Sequence, residues 1–209
     1  MYAIITDGSI SKYVNYPKPL VIGDVQYPAR IFSAWTKSEL AAIGIIEVTF
    51  DNSNKKDEQW YINTDQTYTY DASAGTVTAA YGTATAKEHA DKDAVDDNGN
   101  KLKDKDGNQI INYGLKTNLI KTIKQQAAGI LQDTDWYIVR KADAGTAVPS
   151  SITTHRAAVR TKVAEMETKI TNASDTPALQ TLYTYVNTAD EGDPVVMERP
   201  LGELPRLDS

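Results

Sequence analysis

The chain has 209 residues, 41% hydrophobic and 24% charged, enough for one good core or two small ones and ordinary for a folded protein. It has no cysteine, which excludes disulfides, thiolate zinc sites and cysteine nucleophiles. The formal charge of −6 is uneven: residues 1–90 carry −3 (ten acids, seven bases), 91–108 carry −2 (six, four), 109–189 carry +3 (six, nine) and 190–209 carry −4 (six, two). The mildly basic third segment lacks the dense, aromatic-interleaved patch of a nucleic-acid binder, so no nucleic-acid partner is expected.

Tyr2–Thr6 and Ser9–Val14 are β-prone runs joined by Asp7-Gly8, the signature of a tight hairpin turn with positive φ at both central positions. Pro17, Pro19 and Pro28 predict an irregular connection. Thr36-Lys37-Ser38-Glu39 is a capping box and predicts a helix from Lys37 to about Ile43, stopped by Gly44 and followed by a strand over Ile45–Phe50. Leu40 and Ile43 are expected to bury against Ile45, Val48 and Trp35. Beyond the polar turn Asp51–Gln59, the runs Trp60–Ile62, Gln66–Tyr70 and Thr76–Tyr81 predict an antiparallel meander, with Tyr68 and Tyr70 on one face and Thr69 on the other.

From Thr83 to Asn112 the chain is polar, and Asn98-Gly99-Asn100 and Asp106-Gly107-Asn108 recur eight residues apart as turn signals. A solvated arm or small hairpin linking two domains is expected there. Leu115, Leu119, Ile123, Ala127 and Ile130 then mark one face of a helix that Asp133-Thr134-Asp135 ends. Trp136–Arg140 reads as a brief apolar segment and Asp143–Gly145 with Pro149 as a loop. A second helix opens at Pro149-Ser150-Ser151 with Ile152, Val159, Val163, Met166 and Ile170 inward; Arg156 interrupts this stripe, and Glu165 with Lys169 makes an i,i+4 pair on the wet face. The stripe suits packing on the first helix or a short coiled-coil seam. In this reading Trp136 plugs the gap between the helices. Thr176, as N-cap before Pro177, starts a third helix with Leu179, Leu182 and Val186 inward. The last residues, with Pro194, Pro200 and Pro205, predict an extended acidic tail that the core does not need.

The fold class expected is therefore α+β: a β-rich module over 1–82 with one short helix, a polar linker or hairpin arm over 83–112, a helical module over 113–189 and an extended tail over 190–209. No apolar run approaches the roughly 20 residues of a membrane span, and the start lacks the regions of a signal peptide, so a soluble chain without a membrane partner is expected.

Chemical motifs are sparse. His89 and His155 are far apart and neither has a local partner; His155 reads as a helix-face residue. The acids Asp91, Asp93, Asp96, Asp97, Asp104 and Asp106 suggest calcium, but aligning Gly99 with the invariant glycine of an EF-hand loop puts Ala94 and Lys105 at its two ends, and aligning Gly107 puts Leu102 and Tyr113 there. Nucleotide-binding glycine loops, a G-x-S-x-G elbow and an H-E-x-x-H helix are missing from the sequence. It names no catalytic, cofactor-binding or metal-ligating residue, and a non-enzymatic protein is expected. Glycan cleavage by dispersed Asp, Glu and Tyr residues stays open as a third reading.

Two regions carry a resemblance. MYAIITDGSISKY and AWTKSELAAIGIIEV resemble N-terminal modules of small virion proteins of tailed bacteriophages. ILQDTDWYIVRKADAGTAVPSSITTHRAAVR, through Leu131, Thr134-Asp135-Trp136, Arg156 and Arg160, resembles the pattern of tail-fibre assembly and tail-fibre-associated proteins. The resemblance implies a structural component of the virion tail, in the baseplate, fibre or fibre adaptor. Such a component is assembled in the host cytoplasm, is present in several copies and has other virion tail proteins as partners. A tail-fibre assembly chaperone is the alternative, although residues 51–112 match neither pattern and the acidic, proline-rich end departs from the shorter ends of assembly proteins.

Overall fold

The computed structural model describes residues 1–207. The chain divides into two compact units, Met1–Thr85 and a second beginning at Ala86, so the polar segment after Thr85 belongs with the helices. Strands dominate the first unit and helices the second, giving the α+β class expected.

In the first unit β1 (Tyr2–Thr6) and β2 (Ser9–Val14) form the expected hairpin, with Asp7 at φ 51° and Gly8 at φ 75° and one register shift between Ile4 and Ile5. The proline-punctuated connection holds more structure than expected: a second hairpin, β3 (Leu20–Ile22) with β4 (Val25–Tyr27), then a single helical turn, α1 (Ile31–Ala34). Gly23-Asp24 between Leu20-Val21-Ile22 and Val25-Gln26-Tyr27 was the available signal for that hairpin. The capping box at Thr36 forms in both directions, Glu39 N–H to Thr36 Oγ1 at 3.3 Å and Thr36 N–H to the Glu39 carboxylate at 2.7 Å, and starts α2 (Lys37–Ala42). Gly44 follows at φ 79°, where a Cβ would lie 2.7 Å from the Ile5 carbonyl oxygen, so a close strand approach as well as the left-handed turn demands glycine.

β5 (Ile45–Asp51) pairs antiparallel with β1 and, further along, parallel with β8 (Thr76–Tyr81). This corrects the expected meander. Trp60 lies in a turn, is 3% exposed and precedes a two-residue strand, β6 (Tyr61–Ile62), while β7 (Gln66–Asp71) forms a hairpin with β8. Because β7 already runs back, β8 returns in the direction of β5 and inserts between the two, giving the order β2-β1-β5-β8-β7. The sheet curls until Tyr13 of one edge strand meets Tyr68 of the other, ring centroids 4.8 Å apart.

Alternation along the strands sends side chains to two cores. Ile4, Val14, Leu20, Ile31, Leu40 and Ile45 form one, closed by β3–β4 and the short helices; Ala3, Val48, Val77 and Ala79, with Tyr68 and Tyr70, form the other. Leu40 therefore meets Ile45 as expected, whereas Val48 faces the opposite core and Trp35 remains 36% exposed. The tyrosines of β7 point inward and Thr69 outward, as the alternation predicts. A short strand, β9 (Thr85–Ala86), follows at the division between the units.

In the second unit the polar segment is an ordered piece of fold. β10 (Lys92–Asp93) pairs with β11 (Ile111–Asn112), and isolated bridges join Val95 to Lys101 and Lys103 to Gln109. Three backbone hydrogen bonds close a triangle: Ala94 N–H to Ile110 O (2.8 Å), Leu102 N–H to Ala94 O (2.8 Å) and Ile110 N–H to Leu102 O (3.0 Å). Two equivalent turns form two of its corners. Asp96 Oδ1 accepts from the Asn98 and Asn100 amides and its Oδ2 from Asn100 Nδ2; Asp104 does the same with Asp106 and Asn108. These bonds, chiefly to Asn100 and Asn108, hold both carboxyls below the ordinary aspartate range.

Asp91 reaches the start of α3 (Leu115–Gln132), accepting from Gly114 N–H at 2.8 Å and Thr117 Oγ1 at 2.9 Å, a carboxylate placed where the helix end is positive. A Cβ on Gly114 would fall on the Ala90 carbonyl and 2.8 Å from the His89 carbonyl carbon, so only glycine admits this approach. Ile123 and Ala127 are buried and Leu115, Leu119 and Ile130 partly so, along the predicted face. α5 (Ser150–Asn172) packs on α3 and buries Ile152, Val159, Met166 and Ile170, with Lys124 to Glu167 (3.3 Å) between the two helices.

Several local expectations are corrected. Trp136–Arg140 is the body of a helix, α4 (Asp135–Ala144), and Asp143 and Ala144 belong to it. Asp175, not Thr176, caps α6 (Thr176–Tyr183), accepting from Ala178 N–H; Thr176 is buried and donates to Lys87 O at 2.6 Å. Val186 lies beyond that helix in a short strand, β12 (Val186–Asn187), paired with β13 (Met197–Glu198). Lys169 donates to Pro200 O at 2.6 Å, and Glu165 pairs with Lys162 instead.

The tail is docked on its own chain: Leu201 is 1% exposed and its N–H donates to Leu182 O. Extended geometry was read correctly for most of it; the docking of Leu201 was not, because one buried leucine among polar neighbours leaves no periodic signal. Residues 208–209 of the expected tail lie outside the described residues. Among the described residues, no helix is long and apolar enough to cross a membrane.

Candidate interaction surface

The corner between α3 and α4 is built around a buried cation. Arg156, presented by α5 with a side chain only 9% exposed, donates from one terminal nitrogen to Leu131 O (2.7 Å) and Thr134 Oγ1 (2.6 Å), and its other terminal nitrogen lies 2.8 Å from Asp135 Oδ1. Leu131 O lies in the last turn of α3, where it also accepts from Thr134 N–H at 3.1 Å and from Thr134 Oγ1. Arg156 thus belongs to the inward stripe it was expected to interrupt. A guanidinium is suited to the position, because its planar fork serves a carbonyl, a hydroxyl and a carboxylate together.

The clamp fixes the start of α4, and α4 itself buries nothing fully. Trp136 is 52% exposed, Ile138 43% and Val139 65%. Trp136 does not plug the gap between the helices; Arg156 and Thr134 occupy the corner, and the indole lies outside. It stacks on Tyr137 with ring centroids 4.1 Å apart, and the Arg140 guanidinium sits 4.6 Å from the Trp136 centroid and 5.6 Å from that of Tyr137. The i,i+4 spacing of Trp136 and Arg140 brings cation and ring together on one helix face. Arg140 Nε is buried under this stack with no hydrogen-bond partner. The result is an ordered aromatic and aliphatic shelf with a cation at its edge, the composition enriched at protein interfaces.

A second exposed apolar element is the β12–β13 hairpin. Val186 (48%), Val195 (70%), Val196 (47%) and Met197 (52%) are open to solvent, and its tip carries Asp190, Glu191 and Asp193. Its base is firm: Arg199 lies over the rings of Tyr183 and Tyr185 and pairs with Glu203 at 2.7 Å. Burial raises the Tyr183 phenol, and the hydrogen bond to Glu203 raises that of Tyr185.

The remaining motif residues serve the fold. His155 is buried in α5. Asp91 caps α3, Asp93 pairs with Lys101 at 2.5 Å, and Asp96 and Asp104 hold turns. No group of three or more His, Asp or Glu among the described residues could hold a metal. In the first unit a groove of about 460 Å³ is walled by Tyr2, Phe32 and Trp35; its charged residues, Lys37 and Glu47, pair with each other at 2.7 Å. Sequence reasoning missed α4 as a helix, Arg140 as its cation and the hairpin. Asp135 at the first helical position and Gly145 just past the last, at φ 67°, were the signals that bracket α4.

Comparison with protein-family models, curated proteins and solved structures finds no match to this chain.

Proposed function

We propose that this protein is a non-enzymatic structural component of a phage virion tail, in the baseplate, fibre or fibre adaptor, assembled in the host cytoplasm and acting through protein–protein contacts with other tail proteins and with copies of itself. The observation that carries the reading is α4: a helix whose start is clamped by Arg156 while Trp136, Ile138 and Val139 stay exposed. Holding a large apolar surface in one conformation lowers the ordering cost of association. The sequence likeness of the same segment to tail-fibre-associated proteins gives that surface a setting.

Mass spectrometry of purified particles from the phage whose genome carries the gene tests the reading. Stoichiometric peptides from this chain are expected. Wild-type particles that contain none of it, together with poor fibre trimerisation when the gene is omitted, would replace the reading with that of an assembly chaperone. Release of reducing ends from host polysaccharide by the purified folded protein would replace it with a glycan-cleaving enzyme.

A further inference from the structure

We propose that the partner of the α4 shelf is the β12–β13 hairpin of a second copy of this chain. The proposal deepens the structural reading above by naming the surfaces through which copies meet. Three observations lead to it. Both elements lie in the second unit, and both leave aliphatic side chains at roughly half exposure or more on ordered backbone: Ile138 and Val139 on α4, Val195 and Met197 on the hairpin. Their charges are opposite where it matters. On α4 Asp135 is already engaged by Arg156, while Arg140 and Lys141 face no carboxylate in the ion pairs of the described residues and outnumber the one remaining acid of the helix, Asp143. The hairpin tip presents Asp190, Glu191 and Asp193 within four residues, none of them in those ion pairs. The third observation is anchorage. Leu201 and Arg199 tie the base of the hairpin to its own chain, so the tip and its valines project from a fixed root.

Apolar side chains meeting over the Trp136 ring would form the desolvated centre of the contact, and the acidic tip against Arg140 and Lys141 its polar rim. Arg140 already loses freedom by stacking on Trp136, so pairing it with a carboxylate costs little further ordering. The contact uses two different patches, so each copy offers both a shelf and a hairpin.

That property supplies the test. Val139→Glu spoils the shelf and Val195→Lys spoils the hairpin, and both positions are exposed enough to leave the monomer's circular dichroism and melting unchanged. Sedimentation equilibrium of the full chain is expected to show self-association, weakened about tenfold or more in each variant alone. An equimolar mixture of the two variants is expected to recover association, because one partner retains a sound hairpin and the other a sound shelf. Raising the salt should weaken the wild-type contact, since its rim is ionic. A wild-type chain that stays monomeric at every concentration overturns the proposal. So does a Val195→Lys variant that associates like wild type, or a mixture that associates no better than its components. None of these results bears on whether virions contain the protein, so the two readings fail separately.

Discussion

The sheet unit and the helical unit close their cores by different means. In the first, aliphatic side chains fill both faces of a curled sheet, with Ile4, Leu40 and Ile45 on one side and Val48, Val77 and Ala79 on the other. In the second, polar side chains from distant parts of the chain fasten main-chain groups: Arg156 holds Leu131 O, Lys116 holds Thr171 O, Lys169 holds Pro200 O, Thr176 holds Lys87 O, and Asp91 holds Gly114 N–H. Helices leave unpaired carbonyls and amides at their ends, and a unit built from several helices has many ends. The difference teaches that polar residues at helix junctions here act as fasteners, and that their loss should resemble the loss of core side chains.

The strongest challenge to that contrast is truncation after Thr188. It removes Leu201 together with the carbonyl that Lys169 holds, so a loss of roughly 4 kcal/mol or more is expected. Denaturant unfolding of the shortened chain measures it; unchanged stability would return the tail to the role of a loose arm. Next, Leu40→Ala should cost about 3 kcal/mol through the cavity it leaves. Amide exchange should rise first in β1 and β5. Arg156→Met should come close to it, at about 2–3 kcal/mol, by removing three charge-assisted bonds, to Leu131 O, Thr134 Oγ1 and the Asp135 carboxylate, from a buried corner. If the methionine variant is as stable as wild type, the fastener idea fails at its clearest example.

The smallest effect is acid-dependent. Asp96 and Asp104 have folded pKa values lowered below the unfolded ones, so the stability they lend is present above the unfolded pKa and is lost as pH falls through the folded pKa. Carbon-detected titration should find both carboxyls ionising below the ordinary aspartate range. Titration at ordinary aspartate positions would mean that the turns are not held in solution.

Local chemistry was legible and long-range pairing was not. Asp7-Gly8, the Thr36 capping box, the alternating tyrosines of β7 and the inward stripes of α3 and α5 each follow from residues a few positions apart. The parallel pairing of β5 with β8 depends on where a strand inserts some thirty residues later, which no local pattern records. α4 escaped for a different reason: its apolar residues Trp136, Tyr137, Ile138 and Val139 are consecutive, a run too short to show helical spacing, so its ends are the clearer signal. Arg156 looked like an interruption because a stripe is read by hydrophobicity, whereas the position selects for a group that can satisfy three acceptors while buried.

The triangle of Ala94, Leu102 and Ile110 sets a limit of another kind. In an open ladder the last strand always offers a free edge, and a further repeat can be added. Here each of the three residues donates to one neighbour and accepts from the other, so the circuit is complete at three members. Duplicating the eight-residue unit Asp96–Lys103 would have to break one of those bonds to admit a fourth. The number of repeats is thus fixed by closure, and evolution can vary the two corners in sequence but not readily in number.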